Sequence, residues 1–182
     1  PKDSAVRFES MQGGILLPCQ REHSRVQRMI EEPPLLIIRE NAARPSAAQL
    51  QALADAPTGF VADAMNGRGA LPASIRHVSP GILPVRMCGA VLTCSCGPSD
   101  VLAVFAGLGE IQAGDIMVAS TGQWDRSAVI GDRVMGMLRN AGGQGFITDG
   151  LVRDVAGINE VGLPVMSAGV SPNSPYASGP GE

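Results

Sequence analysis

Aromatic side chains make up only 3% of this 182-residue sequence, and there is no excess of positive charge. The formal net charge is −3 at pH 7, and the sequence pI is about 5.4. Proteins that bind nucleic acid depend on basic residues that neutralise phosphates, and often on aromatic rings that stack on bases. The composition therefore argues against nucleic acid as a binding partner.

Long apolar segments are also missing, because no apolar run approaches the roughly 20 residues that cross a bilayer. The beginning of the sequence has no apolar core followed by a small-residue cleavage site, which a secretory signal peptide would have. We therefore expect a cytoplasmic protein without a membrane partner.

Cysteine and histidine are few, with four and two residues respectively. Cys94 and Cys96 are separated by one residue, which is not the spacing of a zinc ribbon, and both histidines are distant from them in the sequence. The two cysteines alternate with small residues in an apolar run. We therefore interpret them as buried strand residues, with a metal or redox site as the weaker alternative.

The residues that are abundant indicate a globular protein, because 45% are apolar and 17% are charged. The length suits one domain with an appended arm. We predict an N-terminal arm over residues 1–45, partly extended, with a short helix over 22–30 and a short strand over 35–38. Residues 46–182 are predicted to form the globular domain.

The spacing of apolar residues predicts the elements of this domain. Ser46 and Gln49 form a capping-box pattern at the start of the first helix. From Asp100 onward helices and strands alternate, which is typical of a layered α/β fold with a partly parallel sheet. A stretch rich in Pro, Ser and Gly over 171–182 carries no core signal. The predicted helices cover 46–55, 58–66, 100–108 (capped by Ser99 or Asp100), 132–141 and 155–161, and the predicted strands cover 85–96, 116–119, 145–148 and 163–168.

One stretch, from Gly131 to Asp154, begins with a Gly-Asp pair and ends with an Arg-Asp pair, and twenty residues separate Asp132 from Arg153. We predict that the helix within this stretch and the strands on either side of it form one right-handed βαβ unit. The start of the helix and the loop after the second strand then meet at the carboxyl edge of the sheet, where ligands bind in open α/β folds. The two ends of the stretch are therefore expected to be neighbours in space.

The residue types at these two ends favour a site for a small anion and a metal ion. Backbone N–H groups of Asp132, Arg133 and Val134, at the start of the helix, suit an anion. Arg153 adds a planar guanidinium that can hold a carboxylate with two hydrogen bonds. Asp132 and Asp154 offer oxygen ligands, which suit Mg²⁺ or Mn²⁺ better than Zn²⁺. Together these groups would bind a small anion with a second oxygen donor, such as a 2-oxo acid. The alternative is structural, with Asp132 as an N-terminal helix charge and the Arg-Asp pair as a surface salt bridge.

Four motifs and the spacing Asp132-x20-Arg153-Asp154 resemble the RraA-like family. This family includes the regulator of ribonuclease E activity and the 4-hydroxy-4-methyl-2-oxoglutarate aldolases, many of which were once labelled demethylmenaquinone methyltransferases. The spacing is that of the aldolase branch. The motifs are Val61–Ala64, Cys88–Thr93, Ala113–Val118 and Ile147–Asp154.

The resemblance implies a layered ββα fold of the RraA-like, swivelling-domain type. It also implies a divalent-metal-dependent (class II) pyruvate aldolase, a lyase that cleaves 4-hydroxy-4-methyl-2-oxoglutarate and similar substrates to pyruvate. The same enolate chemistry would permit decarboxylation of oxaloacetate.

Residue by residue, the resemblance implies that Asp154 binds Mg²⁺ or Mn²⁺ and that Arg153 and Asp132 are catalytic. Arg153 would hold the carboxylate or enolate oxygen of the pyruvyl part, and Asp132 would position a water on the metal or help to transfer a proton. Arg133 departs from the family, in which an apolar residue is common at this position. The implied substrate-binding residues are Gly131, Asp132, Arg133, Val134 and Arg153.

The resemblance also implies a homotrimer or homohexamer with active sites between subunits. Family aldolases continue past the Pro-Gly-Glu at 180–182, and a carboxylate from that tail of a neighbouring subunit helps to complete the site. We therefore expect the domain to lack the C-terminal strands and tail of the family. The alternative is a non-catalytic regulator of ribonuclease E that acts by protein–protein interaction. That branch lacks the aspartate that this sequence has at Asp154.

Overall fold

The computed structural model describes residues 34–40, 42–82 and 85–182. No helix in these ranges is both long and apolar enough to cross a membrane. The predicted helix over 22–30 lies outside the described residues. The helices are α1 (Ala47–Ala54), α2 (Thr58–Ala64), α3 (Leu102–Glu110), α4 (Asp132–Asn140) and α5 (Val155–Val161), and the strands are β1 (Arg76–His77), β2 (Val91–Ser95), β3 (Ile116–Ser120), β4 (Ala128–Ile130), β5 (Gly145–Thr148), β6 (Leu151–Val152), β7 (Val165–Ser167) and β8 (Gly169–Val170).

Five strands form the main sheet, in the order β1-β7-β5-β3-β2. Strands β2, β3, β5 and β7 run parallel, and β1 pairs with β7 in the antiparallel direction. Parallel neighbours need a crossover, and helices α3, α4 and α5 lie in the three connections. The predicted α/β fold with a partly parallel sheet is therefore confirmed.

Helix α3 packs against the face of the sheet that carries Leu92, Cys94 and Met117. Gly107 permits this approach, because a Cβ there would lie 2.8 Å from Cys94 Sγ and 2.9 Å from Leu92 Cδ2. Burial raises the pKa of Cys94 to about 12 and that of Cys96 to about 11. Thiols with such pKa values stay protonated at neutral pH and pack as small apolar groups. The burial of both cysteines is confirmed, with Cys94 in β2 and Cys96 one residue beyond its end, in a single bridge to Gly181.

A second, three-stranded parallel sheet has the order β4-β6-β8. The sequence interpretation was wrong here, because it predicted no strand over 128–130, 151–152 or 169–170. Strands of two or three residues are too short to show a period in the sequence, so pairing with their neighbours defines them. All three residues of β4 are buried, which places this strand inside the molecule.

Three predicted strands are shorter than expected, and the one predicted over 163–168 is regular only as β7. Only the part of the predicted strand 85–96 that forms β2 is regular. The residues just before β2 pass close to the turn that precedes β3. At this point a Cβ on Gly89 would overlap the carbonyl oxygen of Gly114. The strand predicted over 35–38 is reduced to a single bridge between Leu36 and Gly181.

The helix starts follow the prediction more closely. The capping box is confirmed, because Ser46 Oγ accepts a hydrogen bond from the Gln49 N–H and Gln49 Oε1 accepts one from the Ser46 N–H. Helix α3 begins later than predicted, with Val101 at its N-cap position. Asp100 still contacts this helix start, since its Oδ1 accepts a hydrogen bond of 2.8 Å from the Leu102 N–H.

The C-terminal segment 171–182 is attached to the domain although its sequence carries no core signal. The Tyr176 N–H donates to the Ser99 carbonyl at 2.6 Å, and the Val101 N–H donates to the Tyr176 carbonyl at 2.8 Å. Gly181 bridges both Leu36 and Cys96. Backbone hydrogen bonds hold this segment, and a search for apolar periodicity cannot detect them.

Candidate active site

The two ends of the 131–154 stretch meet because β4 and β6 lie side by side and run parallel. Ala128 is opposite Leu151, and Ile130 is opposite Val152. The pairing continues by one hydrogen bond of 3.0 Å, from the Arg153 N–H to the Ile130 carbonyl. The residues that follow these two strands therefore emerge at the same edge. The expected proximity is present, but it depends on the second sheet and not on the main sheet alone.

Gly131 shows how closely the two ends approach. It is buried, and its backbone is extended, with φ of −138° and ψ of −163° at the N-cap position of α4. A Cβ at this position would lie 2.5 Å from Asp154 Oδ2 and 3.0 Å from Arg153 Cγ. A side chain at Gly131 would therefore occupy the space that the Arg153 and Asp154 side chains use.

Asp132 is the first residue of α4 and lies between this helix and α5. Its Oδ1 accepts a hydrogen bond of 2.6 Å from the Arg133 N–H. On the other side is Gly157, where a Cβ would lie 2.7 Å from both Asp132 Oδ2 and Asp132 Cβ. The carboxylate of Asp132 is thus held at the helix start, close to the helix that follows Asp154.

One of the backbone N–H groups predicted to bind an anion at the start of α4 already donates a hydrogen bond within the protein. The first four N–H groups of a helix have no partner within the helix, which makes them available to an anion. Here the Asp132 carboxylate takes the Arg133 N–H, so a ligand would compete with Asp132 for this donor. The Arg133 side chain is exposed, whereas Val134 is buried.

Arg153 and Asp154 form an ion pair, with 3.2 Å between Arg153 Nε and Asp154 Oδ2. Their side chains remain 34% and 44% exposed, so both can reach a ligand. Asp154 has a left-handed backbone, with φ of 57° and ψ of 43°, as the chain turns from β6 into α5. This conformation is uncommon for a residue other than glycine and is often found at functional sites.

The oxygen atoms of Asp154 fit a metal ion that keeps most of its own water. Among the described residues there is no group of three or more His, Cys, Asp or Glu side chains that could enclose a metal. Zn²⁺ in a structural site would need such a group, whereas Mg²⁺ is commonly held by one or two carboxylates and several waters. Carboxylate oxygens are ligands that Mg²⁺ and Mn²⁺ prefer, so Asp154 is the residue of this corner that could hold either ion.

Asp149 is a further charged residue of the 131–154 stretch, and the sequence interpretation gave it no role. Its carboxylate accepts hydrogen bonds from Ser120 Oγ at 3.0 Å, the Thr121 N–H at 2.6 Å and the Gln123 N–H at 3.1 Å. Burial alone would raise the pKa of Asp149, but these hydrogen bonds outweigh it and the pKa lies below its ordinary value. Asp149 thereby connects the end of β3 and the loop that follows it to the turn between β5 and β6.

Ser174 is the second residue that the sequence interpretation missed. Its Oγ accepts a hydrogen bond from Arg153 Nη1. The sequence offers no signal for this contact, because Ser174 lies in the segment without apolar pattern and is separated from Arg153 by twenty residues.

The fold and this corner define a layered α/β protein in which an arginine and two carboxylates gather at the ends of two short parallel strands. The family profile described as RraA-like, Aldolase/RraA, matches residues 54–182. The chain therefore belongs to the RraA-like family, as its motifs predict.

A relative from Halalkalibacterium halodurans bears the name "Putative 4-hydroxy-4-methyl-2-oxoglutarate aldolase" and is 29% identical over 115 residues. The match covers 63% of this chain and 53% of the relative, so the chain spans about half of the relative's length. The RNA-processing inhibitor RraA from Thermus thermophilis is similar in structure, with a TM-score of 0.62 at 25% identity, over 70% of this chain and 76% of the other.

Streptomyces coelicolor RraAS2 shares the fold as well. It is described as an unusual member of the RNase ES inhibitor RraA protein family, and its TM-score is 0.65 at 23% identity, over 76% of this chain and 69% of the other. The structural comparisons confirm the RraA-like fold that the motifs imply.

The hydrogen bonds of Asp149 lead to a prediction about pH and stability. Because the pKa of Asp149 is lower in the folded protein than in the unfolded chain, its charge stabilises the fold above the ordinary pKa. That stabilisation is lost as the pH falls through the folded-state pKa. Asp149→Asn should lower the free energy of unfolding by about 1–2 kcal/mol at neutral pH and by progressively less in acid.

Urea unfolding of both proteins over a series of pH values measures this difference. Asp63→Asn is the control, since Asp63 is exposed on α2 and has no side-chain partner among the described residues. A destabilisation by Asp149→Asn that stays constant as the pH falls would contradict the prediction.

Proposed function

We propose that this protein is a divalent-metal-dependent lyase that cleaves 4-hydroxy-4-methyl-2-oxoglutarate or a similar 2-oxo acid to release pyruvate. Decarboxylation of oxaloacetate is part of the proposal, because it forms the same pyruvate enolate. The observation that carries it is the meeting of Gly131 and Asp132 with Arg153 and Asp154. The name of the Halalkalibacterium halodurans relative supports the same reaction class.

Arg153 is proposed to bind the pyruvyl part of the substrate. Its guanidinium donates hydrogen bonds to oxygen, and its positive charge stabilises the negative charge that develops on the enolate oxygen as the carbon–carbon bond breaks. The backbone at the start of α4, from Gly131 to Val134, would hold the substrate carboxylate. These contacts orient the breaking bond relative to Arg153.

Asp132 is proposed to receive the proton of the substrate 4-hydroxyl group, directly or through one water. Loss of this proton lets the hydroxyl oxygen form a carbonyl while the bonding electrons move to the pyruvyl carbon. The hydrogen bond from the Arg133 N–H to Asp132 Oδ1 keeps the carboxylate at the helix start. Decarboxylation of oxaloacetate needs no such base, because carbon dioxide leaves in place of the second carbonyl product.

Asp154 is the residue proposed to hold the metal, through an oxygen of its carboxylate and a shell of waters. A bound Mg²⁺ or Mn²⁺ would act as a Lewis acid toward the oxygen atoms of the 2-oxo acid. The left-handed backbone of Asp154 and its ion pair with Arg153 keep the carboxylate next to the guanidinium. The metal ligand and the arginine would therefore act on the same end of the substrate.

The proposed assembly is a homotrimer or homohexamer with each site between two subunits. Arg153 and Asp154 are partly exposed, and the described part of the chain has no cluster of three metal-binding side chains around them. Groups from a neighbouring copy would complete the site and shield the enolate from water.

A second candidate function is regulation of ribonuclease E by direct binding, favoured by the likeness to the RNA-processing inhibitor RraA from Thermus thermophilis. The regulator branch of the family lacks an aspartate at the position of Asp154, so the presence of Asp154 favours catalysis. Co-purification with tagged ribonuclease E discriminates between the two functions. Stoichiometric binding together with no turnover would favour the regulator.

Metal removal and loss of Asp154 should both stop the reaction. Pyruvate release from 4-hydroxy-4-methyl-2-oxoglutarate or oxaloacetate should require Mg²⁺ or Mn²⁺, end with a chelator and return when metal is added. Asp154→Asn should lower turnover by at least about a hundredfold, because several kcal/mol of Lewis-acid stabilisation are lost with the metal. Glu160→Gln, at an exposed position in α5, is the matched control. Absence of metal-dependent pyruvate from both substrates would refute the proposed function.

A single methyl group at Gly131 should also impair the reaction. Gly131→Ala places a Cβ in the space of the Asp154 carboxylate and the Arg153 side chain, and displacement of reacting groups by about 1 Å costs roughly a hundredfold in rate. Gly136→Ala in the same helix is the control, since a Cβ at Gly136 meets no atom within 4 Å. Steady-state kinetics compare the two variants, and equal kcat/KM values would show that Gly131 is not near the reacting groups.

A further inference from the structure

The guanidinium of Arg153 is held from two sides. Asp154 Oδ2 lies 3.2 Å from its Nε, and Ser174 Oγ accepts a hydrogen bond from its Nη1. Among the described residues, Nη2 has no hydrogen-bond partner. Two contacts at different nitrogens fix the plane of the guanidinium and leave Nη2 available to a ligand.

Ser174 is exposed, but the chain on its N-terminal side is attached firmly. The Ser171 N–H donates to the Val152 carbonyl at 2.9 Å, just ahead of Arg153. Asn173 then makes two hydrogen bonds of 2.9 Å, in which its carbonyl accepts from the Ala128 N–H and its Nδ2 donates to the Arg126 carbonyl. Position 173 is therefore attached both to β4 and to the loop before it.

The chain on the C-terminal side of Ser174 is attached as well. Tyr176 exchanges backbone hydrogen bonds with the chain at Ser99 and Val101. The buried carboxylate of Asp100 accepts hydrogen bonds from the N–H groups of Ser178 at 2.7 Å and Gly179 at 2.8 Å. Attachments at 173 and 176 leave only two residues between them, so the Ser174 hydroxyl has little freedom to leave Arg153.

We propose that Ser174 is a positioning residue that holds the Arg153 guanidinium in the orientation needed to bind a 2-oxo acid. This inference rests on the proposed function, because it assigns Arg153 to the substrate. A hydroxyl suits this role because it is neutral. It orients the guanidinium but leaves the positive charge to the substrate, whereas a second carboxylate would neutralise it.

A fixed orientation of the Arg153 guanidinium reduces the loss of conformational entropy when the substrate binds. A free arginine side chain loses rotamer entropy when it is fixed. The contacts with Asp154 and Ser174 already restrict the Arg153 side chain before the substrate binds, so less entropy is lost on binding. These contacts therefore favour substrate binding more than the chemical step. Loss of the Ser174 hydroxyl should therefore raise KM and change kcat little.

Nuclear magnetic resonance of protein labelled with ¹⁵N-arginine tests the contact without any need for turnover. In the wild-type protein the Arg153 Nη1 and Nη2 signals should be split, because the hydrogen bond to Ser174 slows rotation about the Nε–Cζ bond, which otherwise exchanges the two nitrogens. The signals that disappear in Arg153→Lys are those of Arg153, which assigns them. The splitting should be lost in Ser174→Ala and retained in Ser174→Thr, which keeps the hydroxyl.

The matched control is Ser178→Ala, in the same segment. Its backbone N–H still bonds to Asp100, and only the hydroxyl contact of 3.2 Å to that carboxylate is removed. The Arg153 signals should be the same in this variant as in the wild-type protein. Equal Arg153 splitting in Ser174→Ala and in the wild-type protein would overturn the inference, whatever the activity.

Kinetics with oxaloacetate and with 4-hydroxy-4-methyl-2-oxoglutarate, each with Mg²⁺, test the consequence. Ser174→Ala should raise KM about three- to tenfold with kcat within about twofold of wild type, as expected for one lost hydrogen bond to a charged group. Ser174→Thr and Ser178→Ala should keep the wild-type KM. An unchanged or lower KM in Ser174→Ala, with an active wild-type protein, would also overturn the inference. A wild-type protein without turnover would instead contradict the proposed function, and the Arg153 signals would still decide whether Ser174 holds Arg153.

Discussion

The parallel pairing of β4 with β6 is the interaction on which the candidate site depends. It consists of two very short strands and ends in the hydrogen bond from the Arg153 N–H to the Ile130 carbonyl. Through it, the start of α4 and the start of α5 lie at one edge, although twenty residues separate Asp132 from Arg153. The absence of a side chain at Gly131 allows the two chain segments to approach closely enough for Arg153 and Asp154 to share one small space.

Five of the described aspartates fall into two groups by their surroundings. Asp100, Asp115 and Asp149 accept hydrogen bonds from several nearby donors, and Asp100 and Asp115 are buried. Such carboxylates stabilise loops and turns because their charge is satisfied within the fold. Asp132 and Asp154 have fewer partners and more exposure, which leaves oxygen atoms for a ligand. Their places at the starts of α4 and α5 distinguish them from other exposed aspartates, such as Asp63 on α2.

Much of the fold could be predicted from the sequence, because its longer elements are amphipathic or apolar over enough residues to show a period. Helices α1 and α4 and strands β3 and β5 lie close to their predicted positions. The second sheet could not be predicted, since strands such as β6 are defined by their neighbours and not by a pattern of their own. The same limit applies to the segment 171–182, whose backbone hydrogen bonds do not depend on apolar side chains.

By itself, the sequence determined the α/β class, the family and the identities of the charged residues at Asp132, Arg153 and Asp154. These properties reside in local patterns and in residue spacing, so they can be seen without coordinates. Only the tertiary structure decided that the second sheet brings those residues together. It also decided that the Asp149 carboxylate accepts hydrogen bonds from the loop before β4 and that Ser174 contacts Arg153. Each of these joins residues distant in sequence through backbone pairing or a single hydrogen bond, and neither interaction leaves a periodic signal in the chain.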